Sequence, residues 1–365
     1  MALHKKSPAP PESFIPSSGP TQRVTLRDIA KVFGVTPVTV SLAMRNSPRI
    51  SESLRLKIQD KAREMSYRPD PMLAALANYR KSNLKTHIGA ELAWINCWPN
   101  PKNLRAHKEF DLYWCGAFAE AEKCGYRLEE FDYNAVLSPA RLEQILHARN
   151  IQGILLQPPG TGYKPVWQDF HWNNFSVVRF GYAIKNHRAH IVTSDQLANG
   201  LMACENIRRL GYRRIGLVTG AHSVVRFAAG YFYHQMQSGA AQFHSLILHE
   251  TSREEDKRAL AKWLKTHRPD AIFTDIGQLR YLLAELGVRV PQDIGLAACS
   301  TLDGNVDAGI YQNSEEIGRA AVQLLISLTH HNELGIPRIC REVLVEGSWV
   351  DGSSLPVKNK STALR

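Results

Sequence analysis

Residues 25–44 read TLRDIAKVFGVTPVTVSLAM, and this stretch decides the fold of the first part of the chain. Thr25 is placed to cap a helix, Asp28 stands three residues on as the acid of a capping box, and Leu26, Ile29, Ala30 and Phe33 fall on one face. Gly34 comes where the chain must turn. Thr36 and Pro37 then supply a second cap and a proline at the first helical position, opening a helix from Val38 to Met44. A third helix is expected after the cap Ser51, with Leu54, Ile58, Ala62 and Met65 at helical spacing. Three short helices with a basic exterior make a minimal helix-turn-helix domain. Thr36, Pro37, Val38, Thr39, Ser41 and Leu42 lie near the start or on the exposed face of the second helix. Val35, Val40 and Ala43 are expected to pack inward. Small side chains there allow close entry into a major groove, and hydroxyls at a helix N-terminus suit phosphate. An ordinary three-helix bundle is the bland alternative.

Charge sharpens the choice. The 365 residues carry a formal net charge of +11. Between Thr21 and Lys85 there are 13 lysines and arginines against 5 acids, a net of +8. The first twenty residues add +1, which leaves +2 for the remaining 280. A charge run is often only a solvated face, but this one coincides with the helix-turn-helix pattern. With 44% hydrophobic and 22% charged residues the whole is an ordinary globular composition, long enough for about two domains. No apolar run reaches the ~18 residues of a membrane helix, and residues 1–20 lack the apolar core of a signal peptide. The six cysteines form no C-x-x-C pair, so a reducing cytoplasm is the expected compartment.

Val24 to Ala30, Gly34-Val35-Thr36, Thr39-Val40-Ser41 and Tyr67-Arg68-Pro69-Asp70 resemble the N-terminal signature of the lactose-repressor (LacI/GalR) family of bacterial transcription regulators. The resemblance continues through Pro71 to Ala77, where family members carry a hinge helix that folds on operator DNA. It implies that Leu76 is the residue that wedges into the minor groove, followed by the small Ala77. An apolar wedge costs a few kcal/mol of unstacking, offset by a bend that brings more protein onto the backbone. The DNA-binding candidates are completed by Thr25, Arg45, Tyr67 and Leu73. Leu42 departs from the family pattern: it stands where many members have an arginine that reads a base edge, and a leucine can at most touch a thymine methyl.

From His87 onward apolar runs alternate with helical stretches. Ile88–Ile95, Gly153–Leu156, Phe175–Phe180, Ile215–Thr219, Ala271–Thr274 and Ile294–Ala298 read as buried strands. Asp111–Lys123, Pro139–Ala148, Gln196–Leu210, Arg253–Lys265, Gln278–Leu286 and Glu315–Leu328 read as helices. This alternation implies parallel sheets wound on both faces. The stretches Asp195 with Asn199-Gly200, Leu210 to Gly216, Arg268 to Phe273, Val290 to Ile294 and Ile317 to Ala321 resemble the family's effector core, which is similar to periplasmic sugar-binding proteins. The resemblance implies two α/β lobes joined by three crossovers around a small ligand. The organisation expected is a tail (1–20), a helix-turn-helix domain (21–69), a hinge helix and linker (70–86), a two-lobed effector-binding and dimerisation core (87–352) and a second tail (353–365).

Ligands in such sheets sit beyond the carboxyl ends of strands. That points to Trp94, Asn96, Gln157 and Tyr182, with Asp111 and Tyr113 opening the first core helix. Arg226 lies near the arginine that contacts effector in many members, displaced by one position relative to Gly230. Asp275 falls close to the family's Asn-Asp pair. Cys299-Ser300-Thr301 stands where many sugar-binding members present aspartates. An aromatic packing role remains open for Trp94, Tyr113 and Tyr182, and a local cap for Asp275.

The chain carries no G-x-S-x-G, G-x-x-x-x-G-K-[ST] or H-E-x-x-H motif, and its histidines lack zinc-ligand spacing. The sequence reads as a non-enzymatic regulator, a repressor, with no cofactor. Its expected partners are pseudo-palindromic double-stranded operator DNA, a small-molecule effector that could be a sugar or sugar derivative, and a second copy of itself. A cytosolic binding protein or enzyme of periplasmic-binding-protein ancestry is the alternative.

Overall fold

The structure, a computed structural model, describes residues 24–65, 67, 90–134, 138–158, 166–167, 169–184, 188–221, 225–239, 244–249, 252–302 and 304–358. The chain divides into two compact units, Met1–Ala75 and Leu76–Arg365.

In the first unit, α1 (Leu26–Phe33), α2 (Pro37–Met44) and α3 (Glu52–Glu64) enclose a small core of Ile29, Ala30, Val40, Ala43, Ile58 and Ala62. Gly34 ends α1 in the left-handed region at φ 60°, where a side chain would be strained, and the Val35 N–H closes the turn on the Ala30 carbonyl.

The second unit consists of two lobes. The first lobe begins with β1 (Ala90–Asn96), α4 (Pro101–Ala106), α5 (Lys108–Lys123), β2 (Tyr126–Asp132), α6 (Pro139–Ala148), β3 (Gly153–Leu156), β4 (Ser176–Phe180) and β5 (His190–Ser194). The chain then enters the second lobe through α7 (Gln196–Arg209), β6 (Ile215–Gly220), α8 (Val225–Gln237), β7 (Ser245–Leu248), α9 (Arg253–His267), β8 (Ala271–Thr274), α10 (Leu279–Glu285), β9 (Gly295–Ala298) and β10 (Gly309–Tyr311). It returns to the first lobe for α11 (Ser314–His330) and β11 (Glu342–Val345), and crosses once more for β12 (Ser348–Val350). The first sheet has the order β11-β5-β4-β3-β1-β2 and is parallel throughout; the second runs β12-β10-β9-β8-β6-β7, antiparallel only between β10 and β12.

Parallel sheets covered on both faces explain why the strands read as continuous apolar runs. Along β1, Leu92 and Trp94 face a cluster with Val178, Phe180 and Val192 beneath α5 and α11. Ala93 and Ile95 face the opposite cluster, with Leu142 and Leu146 of α6. The two helices over the first face cross in close contact, Gly116 of α5 against Glu315 and Gly318 of α11 against Tyr113.

The three crossovers are bound to one another by polar contacts. The Asp195 N–H donates to the Val345 carbonyl at 2.7 Å, and the Asn313 side-chain amide donates to the Glu346 carbonyl at 2.7 Å. Ser194 Oγ donates to Gln312 Oε1 at 2.5 Å, and Asn199 Oδ1 accepts from the Gly347 N–H at 3.0 Å.

The first core helix starts at Lys108 rather than Asp111. Helices α4 and α8 and six strands, including the edge strands β2, β7 and β11, are not among the runs read from sequence. These edge strands are short, or expose alternate residues, and so lack a continuous apolar run.

Candidate DNA interface and effector cleft

In the first unit, Thr36 caps α2: its Oγ1 accepts from the Thr39 N–H at 3.1 Å and lies 2.9 Å from Thr39 Oγ1. Pro37 takes the first helical position, where no N–H is needed. Val38, 66% exposed, projects beside this cap. Ser41 and Leu42 are half-buried, and Val40 and Ala43 point into the core. Arg45 folds back on the helix, donating from Nε to the Ser41 carbonyl at 3.2 Å and from Nη2 to Ser41 Oγ at 3.1 Å. The Gln59 amide of α3 supports the end of α2 by donating to the Ala43 carbonyl and to Asn46 Oδ1, each at 2.8 Å.

At the start of α1, Asp28 accepts from the Thr25 N–H at 2.9 Å and from Thr25 Oγ1 at 2.7 Å. These bonds hold the Asp28 carboxyl below its ordinary pKa, which keeps an acid ionised at the dipole's positive end. Tyr67 packs at the edge of the small core. Arg27, Lys31, Arg45, Arg49 and Lys57 are exposed, forming the basic exterior. The candidates Leu73, Leu76 and Ala77 lie outside the described residues.

In the second unit the strand-end candidates fall into three environments. Trp94 is fully buried, edge-on to Trp114 at 5.1 Å and tilted against Phe180 at 5.4 Å, and Tyr113 stacks on Phe180 at 5.2 Å. These aromatics form the floor of the first lobe. Asn96 and Asp111 are engaged with their own lobe. Asn96 Nδ2 donates to the Pro101 carbonyl and to Glu130, and its Oδ1 accepts from the Trp98 N–H. Asp111 pairs with Arg105 at 2.9 Å. Across in the second lobe, Asp275 accepts from the Gly220 N–H at 3.1 Å, tying the end of β8 to the end of β6.

Gln157, just beyond β3, is different. It is fully buried, and among the described residues neither its amide nitrogen nor its amide oxygen has a partner. Leaving both ends of a buried amide unbonded costs about 1–3 kcal/mol per group, so such a group calls for an explanation.

Tyr182 and Arg226, from opposite lobes, meet each other. The Arg226 guanidinium lies 3.7 Å from the centre of the Tyr182 ring, Tyr182 donates its hydroxyl to Glu342 at 2.9 Å, and Arg226 lies 3.7 Å from the same carboxylate oxygen. Burial and then the bond to Glu342 push the Tyr182 hydroxyl up to about 12. Glu342, from β11, is the member of this group that sequence reading passed over. Its only sequence signal is the polar position opening the alternating run EVLV.

Among the described residues no group of three or more histidines, cysteines or acids could hold a metal, and no helix is long and apolar enough to cross a membrane.

Comparison with known proteins bears on both units. Residues 25–70 match the family described as bacterial regulatory proteins, lacI family, and residues 204–355 match the periplasmic binding protein-like domain. The Bacillus subtilis (strain 168) protein described as "Probable HTH-type transcriptional repressor ExuR" is 43% identical over 293 residues, covering 75% of this chain and 80% of its own. The HTH-type transcriptional regulator KdgR of the same organism is 24% identical over 326 residues, 84% of this chain and 91% of its own. Among solved structures, a transcriptional regulator CelR–cellobiose complex superposes with a TM-score of 0.53 at 18% identity, over 91% of this chain and 100% of that one. The regulator CcpA of Lactococcus lactis gives 0.54 at 14% identity, over 73% and 99%. These likenesses establish the architecture: a helix-turn-helix domain followed by a two-sheet, periplasmic-binding-protein-like core.

Proposed function

From the premise that this chain belongs to the lacI family of bacterial regulatory proteins, as a DNA-binding transcriptional regulator and not an enzyme, we propose that it is a cytoplasmic repressor. Its hold on a pseudo-palindromic operator is set by a small molecule bound between the two lobes of the second unit. The start of α2 reads the major groove through Thr36, Pro37, Val38, Thr39, Ser41 and Leu42, while Thr25, Arg45 and Tyr67 hold the phosphate backbone. Leu76 is the wedge, with Leu73 and Ala77 beside it. One such unit reads one half-site, so the acting species is a homodimer. The exposed Ile247 (58%) and Tyr281 (48%) of the second lobe supply apolar surface for a second copy to cover.

The observation that carries the effector reading is Gln157, whose buried amide has a donor and an acceptor unused at the carboxyl end of a parallel strand. Ligands of doubly wound sheets lie at such strand ends. A polyol hydroxyl both donates and accepts, which matches both ends of one amide. CelR, a fold neighbour, is described with cellobiose, and a sugar or sugar derivative is the class we assign here. Trp94, Asn96, Asp111, Tyr113 and Asp275 belong to the surrounding wall in this reading. Effector binding changes the lobe angle, which changes whether paired hinge segments can fold on DNA, and the coupling is reciprocal.

The test is a selection of genomic fragments on the full-length chain, followed by a salt titration of the selected site and a thermal-shift screen of sugars, sugar acids and nucleobases. Preference for a two-fold-symmetric site, weakening steeply as salt rises, together with a stabilising compound that alters that affinity, is the expected result. Equal affinity for selected and random DNA at physiological salt would overturn it.

A further inference from the structure

We infer that Tyr182, Arg226 and Glu342 form a latch that holds the two lobes at one angle and must open whenever they separate. Its members come from opposite sides. Arg226 sits in the first turn of α8 in the second lobe; Tyr182 follows β4 and Glu342 opens β11, both in the first. Tyr182 and Glu342 are 160 residues apart in sequence and bonded at 2.9 Å, and the guanidinium closes over both.

The backbone register of α8 explains why the arginine is free to do this. Successive helical residues point about 100° apart. Phe227, the next residue, is 3% exposed and packs edge-on against Phe273 inside the second lobe. With Phe227 pointing in, Arg226 points out of its own lobe and reaches the other. Its planar cation can stack on a phenol ring while still facing a carboxylate, which a lysine does less well.

The strength of the contact suits a latch rather than a weld. Arg226 and Glu342 side chains are 45% and 37% exposed, so salt screens their ion pair and most of the grip comes from guanidinium on ring. An exposed cation–π contact shifts an equilibrium by roughly fivefold. That is enough to bias a lobe angle and small enough for a ligand in the cleft to overcome. The crossovers confine the motion: three segments with mutual hydrogen bonds leave the lobes able to pivot but not to part, so this contact beside them selects among pivot angles.

The test is single-molecule energy transfer on the full-length chain, without DNA or effector, between dyes at the exposed positions Lys102 in the first lobe and Lys262 in the second. Arg226→Met should raise the open population roughly fivefold, Glu342→Gln should raise it by less, and the double variant should go no further than Arg226→Met alone. Arg226→Lys should fall between parent and Arg226→Met. If Arg226→Met does not fold, Tyr182→Leu, which removes the ring beneath the guanidinium, should still raise the open population. Distributions identical to the parent for the singles, or effects that simply add in the double, overturn the latch. Because no DNA or effector is present, that outcome leaves the regulatory reading standing.

Discussion

Gly116 and Glu315 are in such close contact that a Cβ added to Gly116 would lie 1.9 Å from the Glu315 carbonyl oxygen. The obstacle is backbone, not a side chain that could rotate away. A single methyl group must therefore push α5 and α11 apart, and these helices cover the same face of the first sheet. Gly116→Ala should destabilise the second unit by about 1–3 kcal/mol or more, read as a lower urea midpoint with an unchanged slope. An unchanged midpoint would mean that α5 and α11 can part at this crossing without cost.

The cap on α2 should matter for both stability and DNA. Thr36→Ala removes the acceptor for the Thr39 N–H and should cost about 0.5–2 kcal/mol in the first unit, with a loss of specific affinity. Arg45→Ala should lower affinity for all sequences alike and reduce the salt slope by about 1, if Arg45 leaves Ser41 for a phosphate. Fluorescence anisotropy against specific and random duplexes separates the two: loss confined to the specific duplex in Arg45→Ala would contradict the backbone role.

Gln157→Leu should separate binding from folding. Leucine fills a similar volume and removes a buried amide with no partners. The ligand-free chain should melt at the same temperature or higher, while the thermal shift given by the effector disappears. A clear drop in the ligand-free melting temperature would show that the amide is structural.

Stability should fall in mild acid. His190, His234 and His244 are all pushed below the ordinary histidine value by burial; the charge of Arg341 adds to this for His190, Arg208 for His234, and the ring of His267, 3.1 Å away, for His244. A folded-state pKa below the unfolded one means the fold favours the neutral ring. The contribution is fully present above about pH 6.5 and is lost as pH falls through that value towards the folded pKa. The urea midpoint should be lower at pH 5.5 than at pH 7.5, and His190→Gln, which removes the ring accepting from the Arg341 N–H at 3.0 Å, should flatten the dependence. Carboxylates do not confound this window: Asp293, held at about 2 by Arg289, loses its contribution only below about pH 4.

Much of the fold was legible because local chemistry and tertiary role agree. Thr36-Pro37 is a helix start in isolation and in context, and Gly34 takes the left-handed turn its position requires. Gly153–Leu156 and Ala271–Thr274 are central strands buried on both faces, so their boundaries could be read directly. Edge strands could not: Glu342–Val345 exposes alternate residues and Ser245–Leu248 buries only Leu248, patterns that polar loops also show. The candidate site was harder still, because proximity across lobes leaves no local trace. The sequence places Arg226 near the family's effector-contacting arginine, but the occupation of its guanidinium by Tyr182 and Glu342 depends on a strand more than a hundred residues later. Equally, Asn96 reads as a free amide until Pro101 and Glu130 are folded against it.

The two returns of the chain after β10 impose an order on its synthesis. The first sheet needs β11 for its outer edge, and the face carrying Trp94, Phe180 and Val192 needs α11 as its cover. Both are encoded after every strand of the second lobe except β12. On the ribosome, five strands of the first lobe emerge with an aromatic face open to solvent and must wait through more than a hundred further residues for their lid. Among the described residues helix α5 is the only early cover that face has, so the first lobe is the part of the nascent chain most in need of a chaperone, and a stop codon between β10 and the end of α11 should yield an aggregating product rather than a shortened regulator.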